Sequence, residues 1–183
     1  MKIYIDTGVF IDYLAERSPT GSYLRTAPRR GRTVSQLSDD GTQLLERIKS
    51  KHQGLTSCLT LYEVETILYQ TLASFYGGRS DSRRYLVISA RSLTTQVMSV
   101  LERHNIEVMD LTLELFKNTV AEIELQARAI EAGDSLDITT AIINNAEVIV
   151  SSDRDLLNLD GLLRNKNGNI IQCLDTDRAL VLL

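Results

Sequence analysis

Lys2-Ile3-Tyr4-Ile5-Asp6-Thr7-Gly8-Val9-Phe10-Ile11-Asp12-Tyr13-Leu14 opens the chain with two hydrophobic periods in immediate succession. Residues 2–5 form a short apolar run of strand type, whereas Val9, Phe10, Tyr13 and Leu14 recur at helical spacing. The stretch therefore reads as a first strand feeding a first helix, with the carboxylate of Asp6 at the handover. A single acid there has a plain structural use, because aspartate is a good helix N-cap.

The same order repeats along the chain. Glu16 to Gly41 contains Ser, Thr, Gly, Arg and both prolines, Pro19 and Pro28, and reads as a long loop. A helix through Leu44, Leu45 and Ile48 is predicted to end near Gly54, followed by a second strand over Leu55–Leu59. Thr60 opens a helix with Leu61, Val64, Leu68 and Leu72 on one face, and Gly77-Gly78 stop it. Ser80 to Asn105, with Leu86, Ala90, Leu93, Val97 and Leu101 in helical register, reads as a long amphipathic helix. A third strand follows over Ile106–Leu111. Helices over Leu115–Ile130 and Asp134–Asn145, strands over Glu147–Ser152 and Asn169–Leu174, and a closing turn and tail over Asp175–Leu183 complete the reading. Strands alternating with helices predict an α/β fold, a three-layer α/β/α sandwich around a mostly parallel sheet of about five strands.

A chain of 183 residues, 43% hydrophobic, can bury one core, so residues 1–183 are expected to form a single domain with a basic loop excursion at about 17–40. The net charge of −4 and a pI near 5.2 argue against nucleic-acid binding by bulk charge and leave only local patches for it. Cys58 and Cys173 sit in apolar strand-like runs and are expected as free core thiols, which suits a reducing compartment. No secretory pattern or membrane-length apolar run is present, so the expected location is cytoplasmic, with no membrane partner.

Four acids fall at similar junctions: Asp6, Glu63, Asp134 and Asp153. Asp134 and Asp153 read individually as helix N-caps, and Thr60-x-x-Glu63 as a capping box. Ligands of parallel sheets bind outside the carboxyl ends of the strands, where Asp6, Glu63 and Asp153 are expected. Gathered on one edge, carboxylates raise one another's pKa unless a cation neutralises them, and an all-oxygen cluster favours Mg²⁺ or Mn²⁺. His52 and His104 lie at element ends without ligand spacing, which argues against zinc. Hard divalent ions held by carboxylates suit phosphate chemistry.

Ile3-Tyr4-Ile5-Asp6-Thr7-Gly8-Val9-Phe10-Ile11-Asp12 resembles the opening of PIN-domain nucleases, including VapC-like toxin ribonucleases. Thr60-Leu61-Tyr62-Glu63-Val64 resembles the second acidic motif of that family. Asp134-Ser-Leu-Asp137-Ile-Thr-Thr-Ala141 and Val148-Ile-Val-Ser-Ser-Asp153-Arg-Asp155 resemble the third and fourth. The resemblance implies that Asp6, Glu63, Asp134 and Asp153 hold one or two Mg²⁺ or Mn²⁺ ions while an activated water attacks an RNA phosphate. Asp134 fits the family spacing to Ala141 and Asp153, and Asp137, on the same helix face, is the alternative or additional ligand. Ser151 stands where the family carries a hydroxyl residue, and reads either as a partner of a ligand carboxylate or as a plain strand-end hydroxyl. Asp155 reads as a supporting acid or a solvated charge in a first helical turn, and Asp12 as structural. Gly8 departs from the asparagine common at its position. An antitoxin protein and a homodimer are further implications, the dimer through apolar faces over Leu61–Leu72 and Leu86–Leu101.

Arg17, Arg25, Arg29, Arg30 and Arg32 concentrate positive charge in a stretch without acids between Glu16 and Asp39. They read equally as a track for an RNA backbone and as a solvated mobile loop. Tyr23 alone is too little for base stacking. Arg79, Arg83, Arg84 and Arg91 form a second basic cluster that reads as a solvated helix face, with phosphate binding as the alternative. The expected function is thus a metal-dependent endoribonuclease, with a catalytically silent PIN-like RNA- or protein-binding module as the alternative. Phosphoryl transfer of the haloacid dehalogenase type lacks its second aspartate, because Gly8 occupies that position.

Overall fold

Ile3, Tyr4 and Ile5 are all fully buried, as a strand covered on both faces requires. The computed structural model describes residues 1–17, 25, 27–76 and 83–183. Within them the order is β1 (Lys2–Ile5), α1 (Thr7–Leu14), α2 (Val34–Lys51), β2 (Gln53–Ser57), α3 (Cys58–Tyr76), α4 (Arg83–Arg103) and β3 (Ile106–Met109). The chain continues through α5 (Leu113–Ala121), α6 (Ile123–Ala127), α7 (Ala132–Ile143), β4 (Val148–Val150), α8 (Arg154–Leu157), β5 (Gln172–Leu174) and α9 (Thr176–Leu182).

The five strands form one sheet in the order β3-β2-β1-β4-β5, and every pairing is parallel. β1 is central: Tyr4 pairs with Leu55 on one side and Ile149 on the other. Alternation along the strands divides the core between the two faces. Ile3, Ile5, Val148, Val150 and Leu174 pack with α1, α2, α3, α4 and Ala179 of α9. Tyr4, Ile149 and Cys173 turn to the other face, where they meet Leu125, Ile138, Ala141 and Leu156. The result is an α/β/α sandwich with all strand carboxyl ends on one edge.

Several local expectations are corrected. α2 begins at Val34 inside the expected loop, because Thr33 and Gln36 form a reciprocal capping box. α3 begins at Cys58, so Cys58 is helical and Thr60 is no N-cap. Thr60 Oγ1 instead lies 2.8 Å from Thr56 Oγ1, and Glu63 is freed from the expected capping box. Glu131 is the N-cap of α7, which places Asp134 within its first turn. The helix expected over Leu115–Ile130 breaks at Glu122 into α5 and α6. In the expected closing turn and tail, Thr176–Leu182 is helical, with Asp175 capping α9 through Thr176 N–H at 2.8 Å. Leu68, Leu72, Leu86 and Leu93, offered above as dimer faces, are buried where α3 packs on α4 within the chain.

The expected helix stop at Gly77-Gly78, the start at Ser80, and the positions Pro19, Tyr23 and Arg79 lie outside the described residues. Among the described residues, no helix is long and apolar enough to cross a membrane.

Candidate metal centre

Asp6 follows β1 directly and caps α1. Its Oδ1 accepts the Thr7 N–H at 2.7 Å and its Oδ2 accepts the Ser151 hydroxyl at 2.6 Å. Ser151, just past β4, also accepts the Asp153 N–H at 2.9 Å, so one hydroxyl ties the first acid to the backbone of the last. Glu63 projects from the second turn of α3, where its Oε2 accepts the Thr7 hydroxyl at 2.5 Å. Asp137 lies on α7 and is 2% exposed. Its Oδ1 accepts both the Tyr4 hydroxyl at 2.6 Å and the Ser57 hydroxyl at 2.7 Å.

Oxygens of Asp6, Glu63 and Asp137 lie within 4.8 Å of one another. Asp134 and Asp153 stand over this triad on the wall of a cavity of about 260 Å³, which Asp6, Glu63, Ile11, Ile67 and Arg25 also line. Asp137 is buried behind that lining. Asp153 caps α8 through Asp155 N–H at 2.6 Å, and Asp155 itself is exposed. A larger cavity of about 600 Å³ beside Tyr62, Tyr69 and Val87 contains none of these acids.

The electrostatics of the cluster are those of carboxylates lacking a counter-charge. Burial raises the pKa of Asp6, against the bonds from Ser151, Thr7 and Gly8. Burial also raises Glu63, opposed by the Thr7 bond and reinforced by the Asp6 charge. Asp137 is pushed to about 7 by burial and by Asp6, although Tyr4 and Ser57 favour its charged form. Asp134 reaches about 7 through burial and then the charges of Asp153, Asp6, Glu63 and Glu131. An all-oxygen donor set of converging, mutually repelling carboxylates fits a hard divalent cation. His52 caps α2 and His104 is bonded to Glu46 and the Val100 carbonyl, both away from the cluster.

The structure thus brings Asp6 and Glu63 together with Asp137 in the tight triad, and sets Asp134 and Asp153 on the cavity wall. Tyr4, Thr7 and Ser57 are the donors that sequence reasoning missed. Thr7 carried a readable signal, being a hydroxyl residue directly after Asp6, and Ser57 a weaker one, as a hydroxyl residue at the carboxyl end of β2. Tyr4 is reached only through the parity of β1, which turns it away from Ile3 and Ile5 toward α7.

Gly8 has a steric reason. A Cβ built there would lie 3.1 Å from Ser152 Cβ and still closer to the Ser152 hydroxyl. A side chain at position 8 would require the Ser152 hydroxyl to turn away.

Four of the five arginines of the basic stretch are engaged with acids of the chain. Arg29 and Arg32 exchange both backbone hydrogen bonds at 3.0 Å, and Arg30 and Gly31 have positive φ, forming a two-residue hairpin. Arg25 and Arg29 bind the two oxygens of Asp12, Arg29 and Arg30 bind Asp175, and Arg32 pairs with Asp40 and Asp177. Arg17 stacks over the Tyr13 ring at 4.1 Å.

No protein-family model matches this chain, and no curated protein matches it. Among solved structures, it is similar to a chain of VapBC2 from Rickettsia felis, a crystal structure with a bound DNA fragment from their promoter. The two are 15% identical with a TM-score of 0.53, over 94% of this chain and 98% of that one. Likeness at this identity is one of fold, and the PIN-like α/β/α architecture expected from the motifs is the architecture this chain shares with a chain of VapBC2.

Proposed function

We propose that the protein is a metal-dependent endoribonuclease that hydrolyses RNA phosphodiester bonds. The observation that carries this reading is the convergence of Asp6, Glu63 and Asp137 within 4.8 Å at the carboxyl edge of a PIN-like sheet. Asp6, Glu63 and Asp137 hold Mg²⁺ or Mn²⁺, and Asp134 and Asp153 complete the acidic constellation from the cavity wall. A bound divalent ion there supplies neutralisation of phosphoryl charge and activation of water. The chain supplies preorganisation. Ser151 fixes Asp6, Thr7 fixes Glu63, and Tyr4 with Ser57 fixes Asp137, so the carboxylates are aimed before any substrate arrives. Asp155 is assigned no direct role, because it faces solvent beyond Asp153.

The finer reading, a toxin-type ribonuclease that acts with a protein antitoxin and as a homodimer, rests on the resemblance of the four acidic motifs to those of VapC-like toxins; the fold shared with a chain of VapBC2 is compatible with a protein partner. The test is cleavage of a panel of structured RNAs with Mg²⁺ or Mn²⁺, with chelator, and with Asp6→Asn. Metal-dependent cleavage lost in the variant is expected. Metal-independent cleavage, or full activity of Asp6→Asn, would overturn the proposal.

A further inference from the structure

Five charged side chains line the 260 Å³ cavity: Asp6, Glu63, Asp134, Asp153 and Arg25. Arg25 is the one cation among the described lining residues. Its Nε and Nη2 both point to Asp12 Oδ1 at 2.8 Å, while Arg29 takes Asp12 Oδ2 at 2.7 Å. Asp12 is 1% exposed, and a carboxylate is buried that deeply only when its partners satisfy it. Both of its oxygens are occupied by arginine donors that lie 13 and 17 positions further along the chain. Asp12 therefore does more than close a surface loop: it fixes a guanidinium against the wall of the acidic cavity.

We infer that Arg25 contacts the phosphate of the nucleic acid at this site and that Asp12 is its positioning residue. The inference rests on the nuclease reading above and adds a substrate-binding cation to it. A polyanion entering a cavity lined by four carboxylates needs positive charge that the acids do not already bind. Arg25 meets that requirement, because among the described residues its ion pair is with Asp12 and not with Asp6, Glu63, Asp134 or Asp153. A guanidinium is always protonated, and its planar fork can hold Asp12 along one edge while presenting the remaining N–H groups to phosphate oxygens. Among the described residues Nη1 has no hydrogen-bond partner. Its side chain is 25% exposed and lines the cavity, so the group is reachable there without breaking the Asp12 pair. The competing reading makes Arg25 a built-in counter-ion that merely offsets the acids, and the two readings predict opposite signs.

The experiment measures steady-state cleavage of a single-stranded fluorogenic RNA and calorimetric Mn²⁺ binding for wild type, Arg25→Met, Arg25→Lys, Asp12→Asn and the Asp12→Asn/Arg25→Met pair. Arg25→Met should lower kcat/KM by about 100-fold or more, the scale of losing one preorganised donor, with Mn²⁺ affinity unchanged. Arg25→Lys should retain part of the loss, since charge survives without the fork. Asp12→Asn should act in the same direction, and the pair should be no worse than Arg25→Met alone, because Asp12 works through Arg25. Arg25→Met carries the test independently of how well Asp12→Asn folds. Wild-type-like or faster cleavage by Arg25→Met, with tighter Mn²⁺ binding, would establish the counter-ion reading and overturn this one alone. Additive losses in the pair would overturn the role of Asp12. A wild-type chain that neither binds Mn²⁺ nor cleaves RNA would overturn the nuclease reading itself, a signature distinct from the other two.

Discussion

Tyr4 on the central strand donates its hydroxyl to Asp137 Oδ1 at 2.6 Å, joining β1 to α7 across 133 positions of sequence. The bond lies beneath the candidate metal triad and favours the charged form of Asp137. Tyr4→Phe removes one donor from a carboxylate that is almost fully buried. The expected cost is about 1–2 kcal/mol of stability, together with metal binding that sets in at higher pH. Chemical denaturation and Mn²⁺ titration across pH check the two effects separately.

Asp137→Asn and Asp134→Asn separate the triad from the cavity wall. Asparagine at 137 can still accept from Tyr4 and Ser57 while removing one repelling charge, so the metal-free protein should become more stable near pH 8. A gain of 1 kcal/mol corresponds to roughly 2–4 °C in a chain of this size. The same substitution should weaken Mn²⁺ binding by about 100-fold, whereas Asp134→Asn should weaken it less. Calorimetry in which Asp134→Asn loses binding and Asp137→Asn keeps it would reverse the assignment of the ligands.

Both Asp134 and Asp137 are pushed to about 7, above the ordinary carboxylate value of 3.8. A carboxyl whose pKa is raised on folding contributes stability below its unfolded pKa and loses it as pH rises through the folded value. In the metal-free protein these two groups should therefore subtract stability between about pH 4 and pH 7. Saturating Mn²⁺ should remove most of that decline at the upper end, and Mn²⁺ affinity should rise over the same window as protons are displaced. Melting curves with and without metal at pH 5 and pH 8 measure it; an equal metal-induced shift at both values would contradict it.

Gly8→Ala should destabilise the protein by about 1–2 kcal/mol, because the new methyl meets the Ser152 side chain. Ser152→Gly in the same molecule removes the obstructing atoms and should recover most of the loss. Denaturation midpoints of the two single variants and the double variant decide it.

Asp175 caps α9 and receives Arg29 and Arg30. Asp175→Asn retains a cap acceptor but removes the charge that faces two arginines, one of them only 15% exposed. A loss of about 2–4 kcal/mol is expected, with proteolysis accelerating in the segment around Arg29.

Much of the fold was legible because the alternation of period-2 and period-3.6 patterns is local. β1, the Asp6 junction and the core face of α4 follow directly from it. The start of α2 was also written in the chain, as Thr33-x-x-Gln36, but the prolines and arginines before it masked the signal. The site was legible as a list of acids and less so as a geometry. That Asp137 joins Asp6 and Glu63 depends on the burial of Tyr4 beneath α7 and on Ser57 at the end of a neighbouring strand, which are contacts between elements far apart in sequence. The arginines were unreadable for the same reason. Their partners Asp12 and Asp175 lie on α1 and before α9, and nothing local distinguishes an arginine that binds an acid from one that awaits a ligand.

β1 sits in the middle of the sheet, flanked on one side by β2 and on the other by β4, whose residues come nearly 150 positions later. During synthesis the first strand therefore waits half-covered for its second neighbour. A nascent chain that has reached β3 carries Asp6 and Glu63 but neither Asp137 nor the Ser151 hydroxyl that steadies Asp6. The topology therefore withholds the complete acidic cluster from a nascent chain until Ser151 has been added.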